Sequence, residues 1–158
     1  MLRSANKSDL HTIALLKFKM FQEIHKEHLL RDDFLVEVEK VYRQMYEFNK
    51  AKHFVMEDHG TIIACAGGFI KSDIPYCFFK EPQYGFIGDV YVEPDKRRKG
   101  YAKELTKAIL DWLTQQGVKS IRLLASHNAQ PLYKSFGFEK TDEMISNVPN
   151  HKKGLGAF

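Results

Sequence analysis

The sequence predicts an α/β domain: a mixed, mostly antiparallel central sheet flanked by helices, with a strand-helix-strand crossover at its centre. Three observations predict it. Two early stretches carry apolar residues at three- and four-residue steps, a hairpin signal follows, and one long amphipathic helix then lies between two further strands. A chain of 158 residues with 44% hydrophobic and 28% charged residues suits one core, and residues 1–150 are expected to form it as a single domain.

Ser8 or Asp9 is placed to cap the first helix, whose apolar stripe is Leu10, Ile13, Leu16, Met20 and Ile24. The second helix starts near Asp33 and sets Leu35, Val38, Tyr42 and Met45 on one face. Residues 53–57 and 61–70 flank the turn signal Asp58-His59-Gly60 and read as an antiparallel hairpin. The paired Gly67 and Gly68 predict a close backbone approach or a bulge. Residues 71–83, with Pro75 and Pro82, read as a surface loop. A strand over 84–92 stops at Glu93-Pro94, because proline cannot donate to the ladder. From Gly100 a helix carries Ala102, Leu105, Ala108, Ile109, Trp112 and Leu113 in one stripe and ends at Gly117. A strand over 120–125, a short helix over 129–136 closed by Gly137, and a last strand over 138–145 complete the order. Residues 151–158 read as a loose tail.

The apolar stretches 61–70 and 86–92 fall short of the roughly 20 residues a bilayer span needs. The first seven residues lack the apolar run and cleavage site of a secretory signal, so a cytoplasmic protein without a membrane partner is expected. Cys65 and Cys77 make neither a disulfide framework nor a metal-ligand spacing and are expected to pack as small residues. His25 and His28 share a helical face without a third ligand, and no metal is expected. The formal net charge of +4 and the pI near 9.0 suit a polyanion, either nucleic acid or a nucleotide cofactor. Where the charge lies decides between them. Lys96, Arg97, Arg98 and Lys99 run together directly before a glycine and a helix. The longest helix sets Lys103 and Lys107 beside Glu104 and Asp111, which leaves no basic reading face, so no nucleic-acid partner is expected.

That basic run is the middle of a strand-loop-helix unit. At the opening of the helix, the backbone N–H groups are unpaired and lie at the positive end of the helix dipole, and glycine at 100 and alanine at 102 allow close approach. A pyrophosphate fits such a cradle, with Arg97, Arg98 or Lys99 adding side-chain charge. The spacing Arg97-x-x-Gly100-x-Ala102 resembles the acetyl-CoA pyrophosphate motif of GNAT-family acetyltransferases, Gln/Arg-x-x-Gly-x-Gly/Ala. It has neither the Gly-Lys-Ser/Thr of a Walker loop nor the third glycine of a dinucleotide fingerprint. Downstream, Ser126-x-x-Ala129-x-x-Leu132-Tyr133-x-x-x-Gly137-Phe138 resembles the family's second motif, a helix that carries a tyrosine and ends at Gly-Phe.

The resemblance implies the GNAT acyl-CoA N-acyltransferase fold, acetyl-CoA as co-substrate, and transfer of its acetyl group to a primary amine by direct attack in a ternary complex. It implies Tyr133 as general acid toward the CoA sulfur and the backbone of Val90, Tyr91 and Val92 as the pantetheine contact. Arg97, Arg98, Lys99, Gly100, Tyr101 and Ala102 would hold the pyrophosphate. Ser126 stands where the family often has asparagine and Asn128 follows two residues later; each is a candidate cofactor contact and a candidate helix cap. Asp89 is the candidate base, on the strand face it shares with Tyr91 and opposite Val90 and Val92. Acceptor choice in the family points to residues 23–33, where acidic and basic residues interleave, and to residues 71–83, where Tyr76, Phe78 and Phe79 are candidates for a pocket wall or for loop anchors. Homodimers are frequent in the family. The rival reading is a non-catalytic acyl-CoA sensor of the same fold, which would bind without turnover.

Overall fold

The computed structural model describes residues 1–77 and 79–144. The chain divides into two compact units, one over Met1–Leu123 and a second from Leu124 onward. In the first, β1 (Leu2–Ser4), α1 (Leu10–Glu23), α2 (Phe34–Glu47), β2 (Ala51–Asp58), β3 (Thr61–Ser72), β4 (Gln83–Val92), α3 (Tyr101–Gln115) and β5 (Ile121–Leu123) follow in order. The sheet runs β1-β2-β3-β4-β5, antiparallel throughout except for the parallel pair β4 and β5, which α3 connects. The predicted mixed, mostly antiparallel sheet is thus present.

The N-terminal cap differs from expectation. Asn6, not Ser8 or Asp9, opens the first helical turn: its Oδ1 accepts from the Ser8 N–H at 2.9 Å, while Asp9 reaches back to the Asn6 N–H at 2.8 Å. Leu10, Ile13, Ala14 and Leu16 are buried along α1, but the chain turns left-handed at His25 (φ 54°), and Ile24 leaves the stripe and is exposed. On α2 Tyr42 is buried, with Leu35, Val38 and Met45 packed against the same core. His59 and Gly60 both have positive φ, the requirement of a two-residue hairpin turn whose twist matches its strands.

α1 and α2 cover one face of the sheet around Val55, Cys65, Phe69 and Tyr91. The stripe predicted for α3 also packs, with Leu105, Ile109, Trp112 and Leu113 buried; full burial of such a side chain is worth about 1.5–3 kcal/mol. The two core layers meet β3 from opposite sides at its glycine pair. A Cβ on Gly67 would lie 2.8 Å from His53 Nε2, and one on Gly68 would lie 2.9 Å from Ile109 Cγ2.

Two irregularities shape the sheet. Cys65 pairs with Tyr91 and Gly67 with Gly88, so Ala66 faces both Asp89 and Val90 in a β-bulge at which Asp89 has φ 57°. Pairing of β4 with β5 ends at Ile87 and Leu123, yet β4 continues to Val92, so its far edge from Gly88 onward has no strand partner among the described residues.

Other expectations need correction. β1 was not predicted, since three residues are too few to display alternation. β5 covers only Ile121–Leu123, and residues 138–144 contain no strand. Ile145 and the expected tail lie outside the described residues, as does Phe78. Cys65 is buried as expected, whereas Cys77 is exposed. In the second unit a 3-10 turn (His127–Ala129) leads into α4 (Gln130–Ser135). Among the described residues no helix is long and apolar enough to cross a membrane.

Candidate active site

After β4, Pro94–Lys96 makes one 3-10 turn, Arg98 (φ 61°) and Gly100 (φ 83°) turn left-handed, and α3 begins. The backbone N–H groups of Arg98, Lys99 and Gly100 make no hydrogen bond among the described residues. Those of Tyr101 and Ala102 lie in the first helical turn, where no carbonyl is in reach. Residues 98–102 therefore present a row of free donors at the positive end of a 15-residue helix. A Cβ on Gly100 would touch nothing within 4 Å, so its glycine is explained by the left-handed turn rather than by crowding.

Arg97 is occupied differently from its neighbours. Its Nε donates to the Val92 carbonyl at 2.8 Å, and its Nη2 bonds both oxygens of Glu23 at 2.7 and 2.8 Å. Glu23 also accepts from the Tyr91 hydroxyl at 2.9 Å. The guanidinium thus joins the end of α1 to the end of β4, and what remains for an anion is the side chains of Arg98 and Lys99 with the backbone row.

The bulge carries a carboxylate that takes donors from three separate elements, α1, α2 and β2. Asp89 has no exposed side-chain surface. One oxygen pairs with the Lys17 ammonium; the other accepts from the Tyr42 hydroxyl at 2.5 Å and from His53 Nε2 at 3.0 Å. Tyr46 Oη accepts the His53 backbone N–H at 2.9 Å and lies 3.0 Å from Nδ1, which orients the ring so that Nε2–H faces Asp89. The Cys65 thiol donates to the Asp89 carbonyl at 3.1 Å. Burial works to raise the Asp89 carboxyl, but the Lys17 charge and the His53 bond outweigh it and hold the group well below the usual carboxylate range. Burial and the adjacent Asp89 charge push the Tyr42 phenol well above its ordinary value.

In the second unit the Gly-Phe pair is a helix stop. Phe138 N–H bonds the Tyr133 carbonyl at 3.1 Å and Gly137 N–H bonds the Lys134 carbonyl at 2.9 Å, with Gly137 at φ 88°. This is the double bond pattern of a Schellman cap, and its usual apolar contact is the edge of the Tyr133 ring against Phe138 at 6.0 Å. Tyr133 is buried, and that burial raises its phenol above the ordinary value. Neither Ser126 nor Asn128 caps the following turn with its side chain; both are exposed. The Ser126 carbonyl does the capping, accepting from Ala129 and Gln130 at 3.0 and 3.2 Å.

The structure therefore puts Asp89, Val90, Tyr91 and Val92 on one irregular strand that leads through Arg97 into the donor row of residues 98–102. Sequence reasoning missed Lys17, Tyr42, His53 and Tyr46 around Asp89, and Glu23 behind Arg97. One signal was available: His53 is a polar residue at an inward position of an apolar strand, which requires a buried partner.

The Acetyltransferase (GNAT) family model matches residues 19–138. UPF0039 protein C11D3.02c of Schizosaccharomyces pombe is 32% identical over 127 residues, covering 77% of this chain and 79% of its own. The structure of a predicted acetyltransferase with acetyl-CoA from Clostridium acetobutylicum superposes with TM-score 0.79 at 24% identity, covering 94% of this chain and 95% of the other. A GCN5-related N-acetyltransferase from Ralstonia eutropha JMP134 gives 0.77 at 23% identity, with 94% and 97% covered. Aminoglycoside N-acetyltransferase AAC(6')-Iy in complex with CoA gives 0.70 at 23% identity, with 95% and 94% covered. The overall fold is shared with these structures; the family match, spanning most of the sequence, makes this chain a member of the GNAT family of acetyltransferases.

Proposed function

We propose that this chain transfers the acetyl group of acetyl-CoA to a primary amine, by direct attack of the amine in a ternary complex, with residues 1–150 acting as one catalytic domain. The observation that carries the proposal is the open strand edge: among the described residues β4 has no strand partner from Gly88 to Val92, and it leads into the free N–H row of residues 98–102. The first is an unfilled strand position that suits an amide-bearing pantetheine arm; the second suits a pyrophosphate. CoA and acetyl-CoA in the structural neighbours support the same co-substrate here.

In this reading a backbone N–H of Val90, Tyr91 or Val92 meets the thioester oxygen, where charge develops as the amine nitrogen bonds to the carbonyl carbon. One such preorganised donor lowers a barrier by about 3 kcal/mol. When the carbon–sulfur bond breaks, Tyr133 gives its proton to the sulfur. Its raised phenol stays protonated at neutral pH, so Tyr133 is in the donor form when the carbon–sulfur bond breaks. The side chains of Ser126 and Asn128, both exposed and capping nothing, are candidate cofactor contacts.

Asp89 receives a positioning role. A carboxylate enclosed by Lys17, Tyr42 and His53 and held ionised is too weak a base, and too well covered, to meet an ammonium directly. It fixes the bulge, and the amine's proton leaves to water. The reaction written this way requires no metal.

The test is release of free thiol from acetyl-CoA across a panel of amines, with thermal shift by acetyl-CoA alongside. Tyr133→Phe is expected to lower kcat roughly a hundredfold while acetyl-CoA still stabilises the protein. Stabilisation with no turnover on any amine would favour the sensor reading, and no stabilisation at all would sink the proposal.

A further inference from the structure

On the sheet face covered by α1 and α2, four side chains next to the bulge form a crossed tile. Lys71 of β3 is paired in register with Tyr84 of β4, and Phe86 of β4 with Arg122 of β5. The cations cross to the other pair's ring: Lys71 Nζ lies 3.7 Å from the Phe86 centroid and Arg122 Cζ 3.8 Å from that of Tyr84. Phe79, from the loop after β3, closes the far side of the guanidinium at 3.9 Å. The tile borders the opening of the sheet, because the Phe86 ring would lie 3.5 Å from a Cβ on Gly88, the residue at which β4 and β5 part.

The charges of this tile are not balanced. Lys71 has no carboxylate partner among the described residues, and the neighbouring Lys17 is committed to Asp89. Asp73 reaches only Nη1 of Arg122, at 3.2 Å. Nε and Nη2, the edge of a guanidinium that binds carboxylates side-on, are buried without a hydrogen-bond partner among the described residues. A buried donor pair left unmade is costly, so it calls for an acceptor that the described chain does not supply.

We propose that the acceptor is an amine that also carries a carboxylate, and that Lys71 and Arg122 bind that carboxylate. This rests on the acetyltransferase reading above and names the substrate class of the same site. Lys71 and Arg122 stand on strands two apart, about 10 Å between backbones, a gap two long side chains span around one anion. Burial and the Lys17 charge lower the Lys71 ammonium, so an anion between them would relieve repulsion as well as supply the missing acceptor. Since the guanidinium edge is now covered, the loop over residues 73–82, which carries Phe79 and Asp73, has to shift for the anion to enter.

The experiment uses glycine, β-alanine, γ-aminobutyrate and δ-aminovalerate, each against its carboxamide, with a polycationic aminoglycoside as contrast. Thiol release is compared per free amine, and the N-acetylated carboxylates and amides are titrated calorimetrically into the CoA-bound protein. At least one carboxylate is expected to exceed its amide about tenfold in kcat/KM and in product affinity. Lys71→Gln and Arg122→Gln should each bring that ratio within about threefold of unity, and Lys71→Arg should restore it. Equal use and equal binding of carboxylates and amides, or a ratio unmoved by both glutamine variants, overturns the proposal. Turnover of amides or of the aminoglycoside alone would leave the acetyltransferase reading standing while this one fails. Without turnover on any amine, the calorimetric ratio decides by itself.

Discussion

The two sides of β4 are finished in opposite ways. Toward α1 and α2 the Asp89 carboxylate takes donors from Lys17, Tyr42 and His53, and the carbonyl of the same residue takes the Cys65 thiol. Toward β5, among the described residues, β4 has no strand partner from Gly88 onward, and the N–H groups of residues 98–102 are free. The closed side explains how the open side persists. A strand edge with free N–H groups would gain by pairing with β5 along its length, but the bulge at Asp89 re-aims the backbone there, and the buried network fixes the bulge.

The largest expected effect comes from opening the closed side. Asp89→Ala leaves Lys17, Tyr42 and His53 facing one another in the core, and removing one partner of such a buried cluster costs about 3–5 kcal/mol. Urea unfolding should report that loss, with Asp89→Asn intermediate because an amide still accepts from Tyr42. A cost under about 1 kcal/mol would mean that the network does not hold the bulge. The acid limb sharpens the same point. The folded Asp89 carboxyl lies well below its ordinary value, while the unfolded one titrates near 4. The unfolded state therefore takes up the proton first, so the contribution is full above about pH 4 and is lost as pH falls toward the folded value. Wild-type stability should drop more steeply below pH 4 than that of Asp89→Asn, with the two curves converging in acid.

Much of this was legible beforehand. Periodicity located α1, α2 and α3, because each buries one face, and the glycine pair of β3 announced the squeeze between His53 and Ile109. The donor row of residues 98–102 was readable because a helix start leaves its N–H groups free whatever the side chains are. The partners of Asp89 were not: Lys17, Tyr42 and His53 come from three elements 36 to 72 residues away in sequence, and their meeting is a property of the packed sheet. The expected strand over 138–145 is not formed by residues 138–144: between Phe138 and Met144 every residue is polar, which leaves no apolar face for a strand to bury.

On the open side, Gly100→Ala asks how far the cradle depends on backbone shape alone. The added methyl meets nothing, so its cost is the left-handed conformation itself, roughly 1–2 kcal/mol. If the residue instead relaxes out of that conformation, the N–H row turns with it. Affinity for acetyl-CoA, by calorimetry, is expected to fall about tenfold, and the melting temperature by a few degrees. An unchanged affinity would mean that the row of residues 98–102 is not what holds the cofactor.

The smallest effect separates two uses of one arginine. Glu23 and Arg97 are both partly exposed, and such a pair contributes roughly 0–1 kcal/mol, so Glu23→Gln should barely move stability. Its effect on the cofactor has a sign that depends on what Arg97 does. As a brace between Val92, Glu23 and the loop, Arg97 positions the donor row without touching phosphate; loosening it should raise the KM for acetyl-CoA about two- to fivefold and leave kcat alone. As a phosphate ligand held in reserve by Glu23, it would be released by the same substitution and the KM would fall. The two bonds to Glu23 and the third to the Val92 carbonyl favour the brace, because an arginine with Nε and Nη2 both engaged has to break existing bonds before it can turn its fork to an anion.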